Sequence, residues 1–380
     1  MAENFQEQGR YLNICREFSV EGNICKKGAN SVAHIKKVTI TDIAEKAQVS
    51  ISTVSRALSG NPGVNEEIRR KVKDIASAMG YIPPVRKKDY GKAGKAIAFL
   101  VESSDVFVSG ASFFGKFLAG VQQVFEKESY RVILSTTRTN TNPQKKISEL
   151  IKSGVNGFIL AQTQINDPFV KVLLELKYPF VTLGRPFSTL NTPYVDVDSF
   201  GGAYAATTAL AKRGHRRIAY ISGKLTTLAS MARLEGYRKA LQDFNIKYDE
   251  RYTVEGGETQ QEAYTATIKL LQQVEHPPTG IFVYNDFLAV GVISALHDRG
   301  FKIPEDVCLI GFDDEEASAF TVPPLASVRW PVIDMGKKAA EMLLKLLKGE
   351  PLTQRQFVLP VELVERESLG ELVELKGNIS

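Results

Sequence analysis

Cysteine, tryptophan and histidine are scarce in this chain: three, one and four of 380 residues. Cys15, Cys25 and Cys308 offer no paired framework of the kind that staples small secreted domains, which points to a reducing compartment. Cys15, Cys25 and His34 lack the close ligand spacing of a zinc site, so no metal is expected. No run is apolar for long enough to span a bilayer and the N-terminus has no apolar signal region, so a cytoplasmic location is expected. No GxxxxGK[ST] phosphate loop or GxSxG elbow is present, and no cluster of histidines and acids has metal spacing. The expectation is a protein that is not an enzyme and needs no cofactor. The two glycines of GGAYAA, ahead of a helical pattern, read as close packing rather than as a phosphate site.

What is present is concentrated near the N-terminus. From Val38 to Tyr81 the spacing predicts three short helices. Thr39, followed three residues later by Asp42, starts the first with a capping box, and Ile40, Ile43, Ala44 and Ala47 form its inner stripe. After a turn at Gln48 and Val49, Ser50 caps a second helix with Thr53 at its third position. Val54, Ala57 and Leu58 make that helix's apolar face; Ile51, Ser52, Ser55 and Arg56 occupy the opposite one, flanked by Thr53. Short polar side chains beside an arginine suit phosphates and base edges in a major groove. Asn61, Pro62 and Gly63 break the chain, Asn65 caps a third helix, and Ile68, Val72, Ile75, Ala76 and Met79 form its inner face before Gly80 ends it. Two short amphipathic helices at a tight turn also occur in many small bundles, so the charge decides. Ser31 to Lys95 holds thirteen Lys or Arg against six acids, whereas the whole chain carries only +5. The positive charge is local, the footprint of phosphate binding.

VTITDIAEKAQVSISTVSRALSG and a third helix running into GYIPP resemble the headpiece of the LacI/GalR family of bacterial transcription regulators. The resemblance implies that Ile51, Ser52 and Arg56 read bases and that Ser50, Thr53 and Ser55 add phosphate or base contacts. Thr39 joins this set of DNA-binding candidates. Residues 1–37 are read as a disordered extension and residues 82–95, IPPVRKKDYGKAGK, as a basic linker. In the family such a segment forms a hinge helix with a leucine wedge in the minor groove; here Tyr90 stands at the matching leucine position and Lys88 at that of an arginine. A flexible tether is the other reading of these residues.

From Ala96 onward predicted strands and helices alternate, from Ile97–Val101 to Val307–Ile310, the rhythm of an α/β chain with parallel sheets in two similar lobes. VTLGRP, YVDVDSFGGAYAATTALAKRGHRRIAYISG, ARLEGYRKAL, YNDFLAVGVISAL, PEDVCLIGFDD and TVPPLASVRWP extend the resemblance to about Leu369. They imply a two-lobed, periplasmic-binding-protein-like core over 96–369 with three chain crossings. Lobe one is expected over Ala96 to Val197 with a return near Val332 to Gly349, lobe two over the rest and the last strand. Residues 370–380 form a tail with no heptad repeat, which favours a dimer over a larger assembly.

Ligands in open parallel sheets sit beyond the carboxyl ends of strands. Arg233, Asn285 and Asp313 match that placement and the family's ligand-holding positions, and the bidentate fork of an arginine suits vicinal hydroxyls. Trp330, the single tryptophan, offers a stacking face; Phe113 and Phe114 are candidates for the opposite wall, or for core, and Arg185 follows the strand FVTLG. Asn285 has a second reading as the cap of the helix from Asp286. The expectation is a dimeric repressor that reads a pseudo-palindromic operator on double-stranded DNA and is released by a small molecule between the lobes, most simply a sugar. The alternatives are a corepressed regulator sensing a purine or nucleoside, and a ligand-binding protein without DNA function.

Overall fold

Residues 38–58, 63–79, 81, 95–102, 111–138, 140–161, 167–186, 192–225 and 227–371 are described by a computed structural model. Lys88 and Tyr90, the expected hinge at 82–94, the extension at 1–37, Gly80 and most of the tail lie outside the described residues.

Helices α1 (Ile40–Ala47), α2 (Ile51–Leu58) and α3 (Glu66–Ala78) form the N-terminal unit. Thr39 and Asp42 close the expected capping box: the Asp42 N–H donates to Thr39 Oγ1 and the Thr39 N–H to the Asp42 carboxylate. Gln48, in the left-handed region at φ 56°, turns the chain in one residue. Ser50 then caps α2 by accepting the Thr53 N–H at 3.1 Å, and Asn65 caps α3 by accepting that of Glu67. Ile43, Ala44, Ala47, Val54, Ala57, Val72 and Ala76 are buried together. Each lies on the predicted inner stripe of its helix.

The rest of the described chain builds two six-stranded sheets. β1 (Ala96–Glu102), β2 (Arg131–Thr137), β3 (Val155–Leu160), β4 (Phe180–Leu183), β5 (Tyr194–Val197) and β11 (Gln356–Leu359) form the first, in the order β11-β5-β4-β3-β1-β2. β6 (Ile218–Ser222), β7 (Thr253–Glu255), β8 (Gly280–Val283), β9 (Cys308–Phe312), β10 (Ala326–Arg329) and β12 (Glu362–Val364) form the second, in the order β12-β10-β9-β8-β6-β7. The intervening helices are α4 (Ala111–Phe125), α5 (Pro143–Lys152), α6 (Pro168–Leu176), α7 (Ser199–Lys212), α8 (Leu228–Asp243), α9 (Gln260–Gln273), α10 (Asp286–Asp298) and α11 (Val332–Lys348).

The chain crosses between the sheets three times: from β5 into α7, from β10 into α11, and from β11 into β12. Lobe one's return therefore carries a strand beyond the expected Gly349. One strand departs from the parallel expectation: β12 pairs antiparallel with β10. Only Pro360 and Val361 separate β11 from β12, so no crossover helix turns the chain round before it enters the second sheet.

Lobe one is held by an apolar core that includes Phe99, Phe117, Phe125, Ile159 and Val195 beneath α4 and α11. The two helices approach closely because glycines face each other's backbone. A Cβ on Gly120 would lie 2.1 Å from the Ile333 carbonyl oxygen, and one on Gly336 2.3 Å from that of Phe117. Lobe two has buried clusters on both sides of its sheet, around Tyr220, Tyr237, Phe282 and Phe312 on one and Ile221, Val283, Leu288 and Leu309 on the other. In GGAYAA the glycines serve packing, as expected: a Cβ on Gly202 would meet the Phe312 ring at 2.7 Å.

Candidate functional site

Two sets of residues carry the chemistry, one on α2 and one in the core. On α2 the apolar face is buried through Val54 and Ala57, which turns Ile51, Ser52 and Arg56 to solvent and leaves Thr53 and Ser55 partly exposed. Ile51 is 46% exposed, an unusual position for a large apolar side chain in so small a unit. The Ser50 hydroxyl lies 2.8 Å from both the Ser52 and Thr53 hydroxyls. Thr39 is exposed but spends its hydroxyl on the capping box.

In the core, a cavity of 220 Å³ opens at the carboxyl ends of strands from both sheets. Phe113, Arg185, Arg233, Asn285, Asp313 and Trp330 all line it, joined by Asp196, Ser199, Lys224, Ser230, Glu258 and Tyr284. Phe114 does not. It is 4% exposed and packs on Phe99 with ring centroids 5.9 Å apart, so it belongs to the core of lobe one. Neighbours on a helix point about 100° apart, and only one of Phe113 and Phe114 can face the cleft.

Arg233 is delivered by α8, which Thr227 starts by accepting the Ser230 N–H at 3.2 Å. Arg233 is only 5% exposed. It lies 3.6 Å from the Phe312 ring centroid and 4.4 Å from that of Tyr284, donates through Nη1 to the Tyr284 carbonyl, and brings Nη2 to 3.7 Å from Asp313 Oδ1. Its Nε is buried without a partner among the described residues. Asn285 caps α10 and lines the cavity at once: Oδ1 accepts the Leu288 N–H at 2.9 Å, which leaves the amide nitrogen for a ligand.

Asp313 follows β9 with φ 106°, and its Oδ1 accepts the Trp330 indole N–H at 3.2 Å. Trp330 stacks on Phe113 with centroids 5.1 Å apart, so the two rings form one aromatic wall made by both lobes and not the opposed walls expected. Lys116 of α4 also reaches across, with Nζ 3.6 Å from Glu316 Oε1 in lobe two.

Asp196 was not foreseen from the sequence. Its carboxylate accepts the backbone N–H groups of Arg185 at 3.1 Å and Val197 at 2.8 Å. The signal was there in YVDV, a polar residue at the end of a strand whose other residues are buried. Arg185 Nε donates to Tyr194 OH at 3.0 Å.

Burial dominates the proton affinities. It pushes Asp313 up to about 7 against the opposing pull of Arg233, with Asp286 and Glu315 adding repulsion. It also raises Asp196, and raises Asp286 to about 6. A carboxyl that binds its proton more tightly folded than unfolded stabilises the fold at low pH, and that contribution is lost as pH rises. From the ordinary carboxyl value of about 4 upward, Asp286 and Asp313 are therefore expected to lower stability progressively. The melting-temperature contribution of these two groups is expected to fall from about pH 4 to about pH 7 and to level off above that, and Asp313→Asn to flatten the slope. An unchanged slope in the variant would contradict the assignment.

Comparison with known proteins places these two sets in context. The profile described as "Bacterial regulatory proteins, lacI family" matches residues 39–84, and "Periplasmic binding protein-like domain" matches residues 207–369. The chain is 33% identical to the ribose operon repressor of Haemophilus influenzae over 88% of its length and 99% of that protein. It is 32% identical to catabolite control protein A of Priestia megaterium over 87% of its length and 99% of the relative. Among solved structures it resembles a transcriptional regulator CelR–cellobiose complex with a TM-score of 0.69 and 30% identity, covering 87% of this chain and 99% of that one.

Proposed function

The chain belongs to the lacI family of bacterial regulatory proteins, and on that premise we propose that it is a cytoplasmic, homodimeric repressor whose grip on its operator is relaxed by a sugar in the cleft. The α2 face of Ile51, Ser52 and Arg56 reads base edges in the major groove, with Ser50, Thr53 and Ser55 on phosphates or neighbouring bases. Two such helices related by twofold symmetry read a pseudo-palindrome.

The observation that carries the effector assignment is Arg233: a buried cation with one donor unsatisfied, beside Asp313 and Asn285 in a cavity walled by Trp330. The polar groups there mix donors and acceptors. Arg185 and Arg233 are offset by Asp196 and Asp313, so no surplus of positive charge awaits a phosphate. A neutral polyhydroxylated ring matches this set, its hydroxyls bridging the carboxylates and guanidinium groups and its C–H face lying on an aromatic. The names of two relatives, a ribose operon repressor and a regulator in complex with cellobiose, support that class. The cleft joins two lobes, so a ligand that prefers one degree of closure shifts the equilibrium between two states, and coupling to DNA follows from that differential affinity. The relatives are transcription regulators, and among the described cleft residues there is no nucleophile held by a base.

Fluorescence anisotropy of the full chain on labelled DNA from its own upstream region, at fixed salt, tests the reading against a panel of monosaccharides, disaccharides and nucleosides. Release by one sugar is the expected result. Binding tightened by a nucleoside would replace induction with corepression, and binding no stronger than to random DNA would remove the DNA role.

A further inference from the structure

Asp286 is the buried charge that the cleft leaves unused. It opens α10 directly after Asn285, is 3% exposed, and does not line the cavity. Its Oδ2 accepts the Glu315 N–H at 2.9 Å and the Ser318 hydroxyl at 2.6 Å, and its Oδ1 accepts the Ser327 hydroxyl at 2.6 Å. Ser327 Oγ in turn accepts the Asp314 N–H at 3.0 Å. Three donors and the positive end of α10 satisfy this carboxylate without a counter-cation.

What these bonds hold is a turn that the backbone resists. Asp313 and Asp314 have φ of 106° and 49°, left-handed values that side-chain-bearing residues seldom adopt. The Asp314 carboxylate is fixed separately, by Arg329 and Arg366 at 2.6 Å each. Asp313 is held more loosely: its carboxylate accepts the Trp330 indole N–H at 3.2 Å and lies 3.7 Å from Arg233, partners that it reaches only from this turn. Through Ser318 the same Asp286 carboxylate also seats the 3-10 helix Glu316–Phe320, whose Glu316 reaches Lys116 of lobe one.

We infer that Asp286 is a positioning residue for the cleft: its buried carboxylate fixes the left-handed turn that presents Asp313 to the ligand and ties that turn to the start of α10. The functional consequence rests on the effector reading above, but the geometry is testable without any ligand. Trp330 is the only tryptophan of the chain and its indole donates to Asp313, so its emission reports on the turn.

The experiment follows Trp330 emission of the full chain from pH 5 to pH 8.5, with thermal melts alongside. The native chain is expected to show a step near pH 7 as Asp313, faced by Arg233, Asp286 and Glu315, loses its proton, separate from any step near pH 6 from Asp286 itself. The amplitude compared is that of the pH 7 step, which Asp313→Asn removes. Asp286→Asn places an amide donor against three existing donors and is expected to abolish most of the amplitude of that transition. Ser327→Ala, which removes one of the three donors to Asp286 and with it the relay to the Asp314 N–H, is expected to reduce it less, and it decides the matter if Asp286→Asn does not fold. A variant that melts earlier but keeps the native amplitude makes Asp286 a stabilising residue only and overturns the inference. So does a transition that moves to lower pH at full amplitude, because that is loss of charge without loss of geometry. None of these outcomes depends on whether a sugar binds.

Discussion

Arg56→Ala is expected to cut the chain's preference for its operator by about 5- to 150-fold while leaving weak, salt-sensitive binding to any duplex. Arg56 sits on the solvent face of α2 beside Ile51 and Ser52, and among the described residues no hydrogen bond or ion pair competes for it in a helix whose stability comes from Val54 and Ala57. A bidentate contact to a guanine edge contributes about 1–3 kcal/mol of discrimination, or about 5- to 150-fold in relative affinity. Non-specific binding arises from the basic surface as a whole and falls with salt through counterion release, so one arginine changes it little. Parallel titrations of operator and scrambled duplex at two salt concentrations measure both quantities. If the ratio of the two affinities survives the substitution, α2 does not read sequence through this residue.

The second large effect is expected at the other end of the mechanism. Asp313→Ala should leave an operator complex that persists at sugar concentrations sufficient to dissolve the native one. The substitution removes the acceptor of the Trp330 indole and the anion nearest the Arg233 guanidinium, and with them the groups that would hold ligand hydroxyls in fixed geometry. Leaving buried partners unpaired costs about 1–3 kcal/mol per group, so loss of ligand affinity by two orders of magnitude is the expected scale. Calorimetric titration with the releasing sugar gives the number directly. A variant that unfolds at 25 °C would instead make Asp313 part of the scaffold, and a variant that responds normally would remove it from the site.

Much of this was legible in the sequence because the signals were local. A capping threonine three residues before an acid, a serine ahead of an apolar 3.6-residue stripe, and an asparagine before two glutamates each specify their helix start within four residues. The long buried strands and helices of the core were also readable, since each carries its own periodicity. β4 and β8 are short but wholly buried, and so read as apolar runs; the strands whose positions were left unread, β5, β7, β10, β11 and β12, are as short, with three or four residues each. A segment that short acquires its strand character from the neighbours it pairs with, which for β11 lie about 160 residues earlier in β5, as Gln356 pairing with Tyr194 shows. The cavity-lining residues named in the core came from the family resemblance more than from chemistry. Phe113 and Phe114 could not be told apart until the axis of α4 was placed against lobe one. Asp286 gave no local sign of its role, because its donors come from residues 29 to 41 positions further on.

The central claim is that cleft and operator are energetically coupled, and thermodynamic linkage gives it a direct test. The affinity of the releasing sugar is measured by Trp330 fluorescence with the protein free and with it saturated by operator duplex. The account predicts weaker sugar binding on the operator, by the same factor, typically about 5- to 150-fold, by which the sugar weakens operator binding. Equal sugar affinity in the two states would contradict it, and would mean that the cleft binds its ligand without informing the DNA-reading helices.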